Sequence, residues 1–210
     1  MSDLISRLHW RYAAKRMNGN IVPAAKLGTI LEAINLAPTS VGLQPFNILV
    51  IEDRETREKM HQAANSQPQI LEASHVLVFA AWETVTADNI DHYINLIAST
   101  RGIPVESLAL FQNKIKESLL SRSQEELFNW SARQAYIALG YGLIAAATEQ
   151  VDATPMEGFD AALLDEVLNL KEKGLKSVVM VALGYRDEEK DPLASAKKVR
   201  RPHEELFITV

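Results

Sequence analysis

The segment QEELFNWSARQAYIALGYGLIAAATE, residues 124–149, predicts a long helix and is the most informative part of the chain. Its second half replaces bulky side chains by small ones, including Gly140 and Gly142, so another backbone can approach it closely. Glycine inside a helix costs about 1 kcal/mol relative to alanine, so two of them indicate a packing role. Two interpretations stay open: a helix in the core of one chain, and a helix shared with a partner subunit.

Residues 140–145 of this helix, GYGLIA, also match the loose dinucleotide-binding pattern G-x-G-x-x-G/A. That pattern binds a dinucleotide where it forms the turn between a strand and a helix. The preceding residues, including Trp130 and Tyr136, continue a helical pattern, which places both glycines in mid-helix. We therefore do not expect a Rossmann-type site here.

On either side of the long helix the sequence alternates between helical and strand-like segments. Helices are predicted at 4–17, 22–37, 54–64, 69–73, 104–121 and 160–168. Strands are predicted at 46–51, 76–82, 177–183 and 206–210. No linker or repeat divides the sequence, so we expect a single α+β domain over residues 1–210.

Composition excludes several classes of protein. Of 210 residues, 47% are hydrophobic and 23% charged, which is typical of a globular domain and not of a disordered chain. A net charge of -5 argues against a dedicated nucleic-acid binder. The absence of cysteine excludes disulfides, thiolate metal sites and thiol catalysis, and no H-x-x-x-H pair occurs, so we expect no metal site.

Membrane and targeting segments are not expected either. Residues 1–15 contain no apolar run of signal-peptide length. The longest uncharged, mostly apolar stretch, residues 134–148, is shorter than the ~18–20 residues that a membrane span needs. We expect a cytoplasmic protein that makes no membrane contact.

Positive charge in this acidic chain is concentrated near its two ends. The basic residues are Arg11, Lys15 and Arg16 in the first predicted helix, and Lys197, Lys198, Arg200 and Arg201 near the end. Arg11 and Lys15 are four residues apart and are expected on one helical face. The two runs either converge on an anion such as a phosphate or are separate solvated charges, and the pattern alone allows both.

Two loops rich in turn-forming residues are the other candidate site segments. Residues 37–45 lie between a predicted helix and a predicted strand and can present backbone amides. Residues 154–160 are predicted as a second loop, with Asp160 as the N-cap of the next helix. Gly158 in that loop indicates close approach of the backbone to a flat or bulky group.

Four motifs in chain order carry a family resemblance. They are RYAAK at 11–15, PTS at 38–40 with QP at 44–45, PMEGFD at 155–160, and KVR at 198–200. Together they resemble the bacterial oxygen-insensitive nitroreductases, which are FMN-dependent homodimers. The resemblance implies a central, mainly antiparallel sheet flanked by helices, a domain-swapped homodimer, and helix 124–149 at the subunit interface.

The resemblance also implies a reaction. NADPH or NADH gives a hydride to flavin N5 and leaves, and a nitroaromatic or a quinone then takes the electrons in the same pocket. The same fold also serves reduction of a dihydropteridine, an enone, free flavin or a halogenated aromatic, and these acceptors stay open. No catalytic side chain is expected. A protein that binds nucleic acid through residues 197–201 is the rival from another class.

The resemblance assigns cofactor contacts residue by residue. It implies that Arg11, Lys198 and Arg200 hold the FMN phosphate and that Lys15 lies near flavin N1 and O2. The Pro155–Gly158 loop would border the central ring with the amide near Glu157 facing N5. The full implied set is Arg11, Tyr12, Ala13, Lys15, Pro38, Thr39, Ser40, Gly42, Ser66, Gln69, Pro155, Met156, Glu157, Gly158, Lys198 and Arg200, with Pro38, Thr39 and Ser40 supplied by the partner subunit.

Several positions depart from the family pattern. Ala13 stands where a serine is usual and Met17 where a phenylalanine is usual, while Ser66 replaces an asparagine. Gln69 stands where many members carry a second lysine near flavin N1 and O2, so Lys15 would be the one cation there. Residues 103–121, with Phe111, are expected to cover the flavin and shape substrate choice.

Overall fold

The computed structural model describes residues 3–210 and has helices on both faces of one central sheet. The strands are β1 (Phe46–Ile51), β2 (His75–Trp82), β3 (Asp152–Met156) and β4 (Leu175–Gly184). The helices are α1 (Asp3–Trp10), α2 (Ala24–Asn35), α3 (Arg54–Ala63), α4 (Gln69–Glu72), α5 (Ala87–Arg101), α6 (Ala109–Leu120), α7 (Gln124–Thr148), α8 (Ala161–Val167) and α9 (His203–Leu206). Met1 and Ser2 of the predicted 1–210 domain lie outside the described residues.

The sheet has the order β1-β2-β4-β3, and every neighbouring pair is antiparallel. Along β2 the side chains alternate between two cores, because successive residues of a strand point to opposite faces. Val76 and Val78 pack with α3, α4 and α8, whereas Leu77 and Phe79 pack with α2 and α7. The predicted α+β fold with a mainly antiparallel sheet is confirmed.

Helix α7 lies against one face of the sheet. It begins with a capping box in which Ser123 and Glu126 satisfy each other's backbone N–H groups. A Cβ added to Gly142 would lie 2.9 Å from Ile34 Cγ1, so this glycine allows the close approach of α2. A Cβ added to Gly140 would meet nothing within 4 Å. Gly142 therefore allows close packing in the core of the chain, and Gly140 lies on the outer face of α7.

Most predicted elements are found within two residues of their expected ends. Strand β1 has the predicted bounds, and α7 ends one residue early at Thr148. The predicted helix 104–121 is divided into a short 3-10 turn, Val105–Leu108, and α6. None of the helices within residues 3–210 has the length and apolar character needed to cross a membrane.

The prediction of one helix over residues 4–17 is wrong, because α1 ends at Trp10. Residues 11–16 form no helix, and Met17 makes an isolated antiparallel bridge with Arg186. The reason is tertiary: side chains far away in sequence bind the backbone N–H groups that a helix would use internally. Arg11 and Lys15 therefore do not share a helical face.

The predicted strand at 206–210 is also absent from the described chain. Leu206 closes the single turn α9, and residues 207–210 pair with none of the four strands. Phe207, Ile208 and Val210 are exposed. β-Branched residues favour a strand only where a neighbouring strand supplies hydrogen bonds, and this chain supplies none to its own tail.

Besides the single turn α9, two elements were not predicted. Strand β3 covers the first half of the segment taken as a loop over 154–160, and the remaining residues form the predicted loop before α8. Helix α5 occupies a part of the chain for which no element was predicted. Its capping box, Thr86 with Asn89, is a sequence signal that predicts its first turn.

Candidate functional site

The two ends of the chain meet at a cavity of about 560 Å³. Lys198 Nζ donates to the carbonyl oxygens of Leu8 at 2.6 Å and Arg11 at 2.5 Å, which ties the C-terminal tail to the end of α1. Of the two interpretations of the basic runs, the structure supports convergence. The predicted cofactor residues that line this basic cavity are Arg11, Tyr12, Ala13, Lys15, Pro155, Lys198 and Arg200.

Apart from Arg186, the lysines and arginines of the basic cavity form no ion pair within the described chain. Within residues 3–210, no carboxylate lies at ion-pairing distance from Arg11, Lys198 or Arg200. Burial and the charge of Arg200 lower the pKa of Arg11, and burial together with Arg11 lowers the pKa of Lys198. Arg11 Nε is buried without a hydrogen-bond partner. An anion in the cavity would relieve this repulsion and accept the free donors.

A buried ion pair forms one wall of the basic cavity. Arg186 Nη2 lies 2.6 Å from Asp152 Oδ1, and the two side chains are 14% and 2% exposed. The guanidinium carbon lies 4.4 Å from the centre of the Trp10 ring and 4.5 Å from that of Tyr12. Burial by itself would lower the pKa of Arg186, but hydrogen bonds and charge from Asp152 raise it overall. The pair therefore fixes β3 against the residues that follow α1.

A second buried carboxylate, Asp191, gives residues 12–16 their shape. Asp191 Oδ2 accepts from Tyr12 Oη at 3.0 Å and from the backbone N–H of Lys15 at 2.7 Å, and Asp191 Oδ1 accepts from Leu193 N–H at 2.8 Å. Glu72 likewise accepts from Met17 N–H at 2.9 Å. These bonds replace helical ones and present the predicted cofactor residues along one side of the cavity.

We expect Asp191→Asn to lower the free energy of unfolding at pH 7 by about 1–3 kcal/mol. Burial would raise the pKa of Asp191, but its hydrogen bonds, led by that from Leu193 N–H, lower it overall. The unfolded chain therefore takes up the proton first as the pH falls, so the stabilisation is complete above about pH 4 and is lost as the pH falls through the folded pKa.

Urea unfolding at pH 7 and at successively lower pH checks this expectation. The difference between wild type and Asp191→Asn should shrink below about pH 4. Asp88→Asn, at an exposed aspartate, is the control and should change stability by less than about 0.5 kcal/mol. A difference that stays constant down to pH 3 would contradict the assigned role of the Asp191 carboxylate.

The segment after β3 lies beyond the Pro155 wall of the basic cavity. Met156 is buried, and Glu157 Oε1 accepts from Tyr136 Oη at 2.6 Å. Gly158 O accepts from two side chains of the α3–α4 connection. Asp160 caps α8 through Leu163 N–H at 3.0 Å, as predicted.

Ser66 lies in the α3–α4 connection, and Gln69 follows it at the start of α4. Ser66 is exposed and has a left-handed backbone, with φ 54°. Gln69 is the first residue of α4 and is 2% exposed, and its Oε1 has no hydrogen-bond partner. A buried amide oxygen without a donor is costly, so this position suits a neighbouring group that can donate.

The structure does not bring Pro38, Thr39, Ser40 and Gly42 to the basic cavity of the same chain. They follow α2, and Ser40 N–H donates to Gln134 Oε1 of α7 at 2.8 Å. Ser40 lines a small cavity of about 180 Å³ together with Phe111 of α6. Gly42 has φ 78°, and a Cβ there would lie against Tyr93 Oη, so the turn requires glycine.

Sequence reasoning missed the charged residues that support the basic cavity: Glu72, Asp152, Arg186 and Asp191. Asp152 stands between Val151 and Ala153, and a carboxylate within an apolar run indicates a buried charge that needs a partner. The identity of that partner is not visible in the sequence. Among residues 3–210 there is no group of three or more His, Asp or Glu side chains that could hold a metal ion.

Comparison with known proteins places this geometry in a family. Residues 8–185 match the model of the nitroreductase family. The major NAD(P)H-flavin oxidoreductase of Aliivibrio fischeri is 32% identical over 211 residues, covering 97% of each chain.

Two solved structures share the fold. A nitroreductase-like protein from Streptococcus mutans has a TM-score of 0.86 at 18% identity, covering 100% of this chain and 99% of the other. A structure from Exiguobacterium sibiricum, solved in complex with FMN, has a TM-score of 0.84 at 20% identity, covering 100% and 98%.

Proposed function

This chain belongs to the nitroreductase family, and on that premise we propose that it reduces a nitroaromatic or a quinone with electrons from NADPH or NADH through FMN. The chain is an oxidoreductase, and FMN and NAD(P)H are its cofactors. FMN supplies a two-electron centre that takes a hydride at N5 and returns the electron pair to the second substrate.

The observation that carries the proposal is the basic cavity formed by the two chain ends. Its residues fit FMN because Arg11, Lys198 and Arg200 supply positive charge with no carboxylate of the described chain at ion-pairing distance, and because Arg11 Nε has no hydrogen-bond partner there. The buried and unpartnered Arg11 Nε is a donor that a ligand with acceptor atoms in this cavity would satisfy. Arg11, Lys198 and Arg200 would hold the phosphate, and Lys15 and Gln69 would lie toward the pyrimidine end of the flavin.

The visible spectrum of the purified protein tests the cofactor, and anaerobic titration with NADPH and NADH tests the donor. We expect bands near ~450 and ~375 nm that bleach with one or both nucleotides. Addition of a nitroaromatic or a quinone should then restore the bands. A colourless protein that does not bind added FMN would overturn the proposal.

Free flavin is the second candidate acceptor, because the relative from Aliivibrio fischeri, 32% identical, is named an NAD(P)H-flavin oxidoreductase. The rate at which each acceptor reoxidises the reduced protein distinguishes free flavin from a nitroaromatic or a quinone. Faster reoxidation by added FMN than by a nitroaromatic or a quinone would favour flavin reduction.

The proposed site needs two copies of the chain. Pro38, Thr39 and Ser40 lie away from the basic cavity of their own chain, so we propose that a partner subunit supplies them. Helix α7 presents an apolar stripe outward, formed by Ile137, Tyr141 and Ile144, each about 40% exposed, with Gly140 leaving room for close approach. The unpaired tail 207–210 and edge strand β1 can pair between copies, as a domain-swapped dimer requires.

We expect Ile144→Lys to convert a dimer into a monomer, because it places a charge in the apolar stripe. Light scattering after gel filtration measures the mass, and wild type should have the mass of two chains. Ile21→Lys is the matched control, since Ile21 is 71% exposed and lies outside the stripe. A monomeric wild type would contradict the shared site.

We expect Gln69→Lys to raise the midpoint potential of the bound flavin. Reduction adds negative charge at N1 and O2, and a cation fixed nearby stabilises that charge more than an amide does. A rise of about 30–60 mV corresponds to roughly 1.4–2.8 kcal/mol for a two-electron couple. Anaerobic redox titration measures the rise, and Gln69→Met, which adds no charge, should not reproduce it. No change or a fall in Gln69→Lys would contradict the expectation.

A further inference from the structure

The Glu157–Gly158 segment is held on both sides by side chains of other elements. Tyr136 of α7 donates its hydroxyl to Glu157 Oε1 at 2.6 Å, and the carbonyl oxygen of Val178 lies 3.2 Å from the same hydroxyl. On the opposite side, Gly158 O accepts from Asn65 Nδ2 and from Gln67 Nε2, each at 2.9 Å. The side chain of one residue and the carbonyl of the next are thereby both fixed.

The side toward α3 is built at a conformational cost. Asn65 and Ser66 have φ values of 53° and 54°, a region that residues other than glycine adopt infrequently. This turn places Asn65 Nδ2 and Gln67 Nε2 on the same carbonyl, and Asp160 N–H bonds to Ala63 O at 2.8 Å. Two consecutive left-handed residues persist where surrounding contacts determine them, and such strain is concentrated at functional segments.

The side toward α7 depends on one hydroxyl. In the part of the chain that the structure describes, Tyr136 Oη is the hydrogen-bond donor to the Glu157 side chain. Burial and then the hydrogen bond to Glu157 raise the pKa of Tyr136, so the hydroxyl stays protonated and donates at neutral pH. Removal of this hydroxyl would leave the carboxylate free to turn toward solvent and would release one end of the segment.

We propose that Tyr136 is a positioning residue, which holds the Glu157 carboxylate and thereby fixes the Glu157–Gly158 peptide where it borders the cofactor. The inference rests on the proposed function and adds a role for α7 in the site of its own chain. The contacts from Asn65 and Gln67 hold the Gly158 carbonyl, which begins the following peptide, and Tyr136 holds the Glu157 side chain that precedes it. Both contacts are needed to define the orientation of the intervening amide groups.

The test begins with Tyr136→Phe in the FMN-loaded protein, and Tyr185→Phe is the matched control because the Tyr185 hydroxyl makes no hydrogen bond within residues 3–210. We expect amide hydrogen exchange of residues 157–159 to rise at least about tenfold in Tyr136→Phe, while exchange in β2 stays unchanged. The limiting rate of flavin bleaching by NAD(P)H should fall about tenfold. The nucleotide concentration for half-maximal rate should change less than about twofold, and Tyr185→Phe should match wild type in each measurement.

Variants at Glu157 separate positioning from general stability. Glu157→Gln keeps an oxygen that accepts from Tyr136, so amide exchange of residues 157–159 should rise much less than in Glu157→Ala. Glu157→Ala removes the acceptor and should reproduce Tyr136→Phe. The double variant Tyr136→Phe/Glu157→Ala should be no slower than Glu157→Ala alone, because both changes remove the same contact.

The outcomes distinguish this inference from the proposed function. A protein that binds no FMN overturns the proposed function, and with it the role of Tyr136 toward the cofactor. A protein that binds FMN but shows unchanged exchange at 157–159 in Tyr136→Phe overturns the present inference alone. Two further outcomes would overturn it. In one, the effects of Tyr136→Phe and Glu157→Ala on the bleaching rate multiply in the double variant. In the other, amide exchange rises throughout the chain.

Discussion

Replacement of Asp152 by alanine should lower the free energy of unfolding by about 3–5 kcal/mol, because it leaves the Arg186 guanidinium buried without its carboxylate. Asp152 is 2% exposed and accepts from Arg186 Nε, Nη2 and backbone N–H. The rings of Trp10 and Tyr12 provide partial compensation through their π faces and cannot replace a full negative charge. For a chain of this size the loss corresponds to a fall in Tm of about 6–20 °C.

Calorimetry and urea unfolding of the flavin-free protein measure this loss. Asp152→Leu combined with Arg186→Met should recover much of the stability, since it removes both charges together. Glu55→Ala is the surface control: Glu55 pairs with Lys59, the side chains are 76% and 61% exposed, and the expected loss is below about 1 kcal/mol. A loss for Asp152→Ala as small as that for Glu55→Ala would contradict the assigned burial of the pair.

Arg11→Met should weaken FMN binding by at least about 100-fold. A guanidinium makes about two charge-assisted hydrogen bonds to a phosphate, each worth about 1.5–3 kcal/mol, and each 1.4 kcal/mol changes Kd about tenfold. Stability of the flavin-free protein should change little, because Arg11 makes a single hydrogen bond to Ala153 O at 3.2 Å and is repelled by Arg200. Quenching of FMN fluorescence on titration with protein measures the affinity.

Arg201→Met is the control for charge alone. Arg201 belongs to the same basic run as Arg200 but does not line the basic cavity. Its replacement should change Kd less than about threefold, and that change should vanish at high salt, where exposed charges are screened. Equal losses of affinity in Arg11→Met and Arg201→Met would indicate nonspecific attraction and contradict the phosphate site.

The regular elements were predictable where local signals agree. Residues 46–51 form a strand with the predicted ends, and the Ser123 cap fixes the start of α7. The helix predicted over residues 4–17 failed for the opposite reason. Its second half carries helical residues, but Asp191 and Glu72 bind the backbone there, and no local pattern shows contacts made 175 and 55 positions away along the chain.

The candidate site was predictable in kind and in many of its residues. Arg11, Lys198 and Arg200 were named from charge and resemblance, and the structure brings them to one cavity. Pro38, Thr39 and Ser40 were assigned to a partner subunit, and within one chain they stay apart from that cavity. Their place in the site remains a prediction.

The sequence by itself determined the class of fold, the basic character of the site and the family to which its motifs point, because these depend on residue type and order. The tertiary structure decided which carboxylates hold the cavity together and which cations stay unpaired, and it distinguished Gly142, packed on Ile34, from the outward Gly140. Those properties depend on distances between residues far apart in the chain. Burial gives these contacts their energy, because the contribution of a charge or a glycine to stability depends on the groups that surround it.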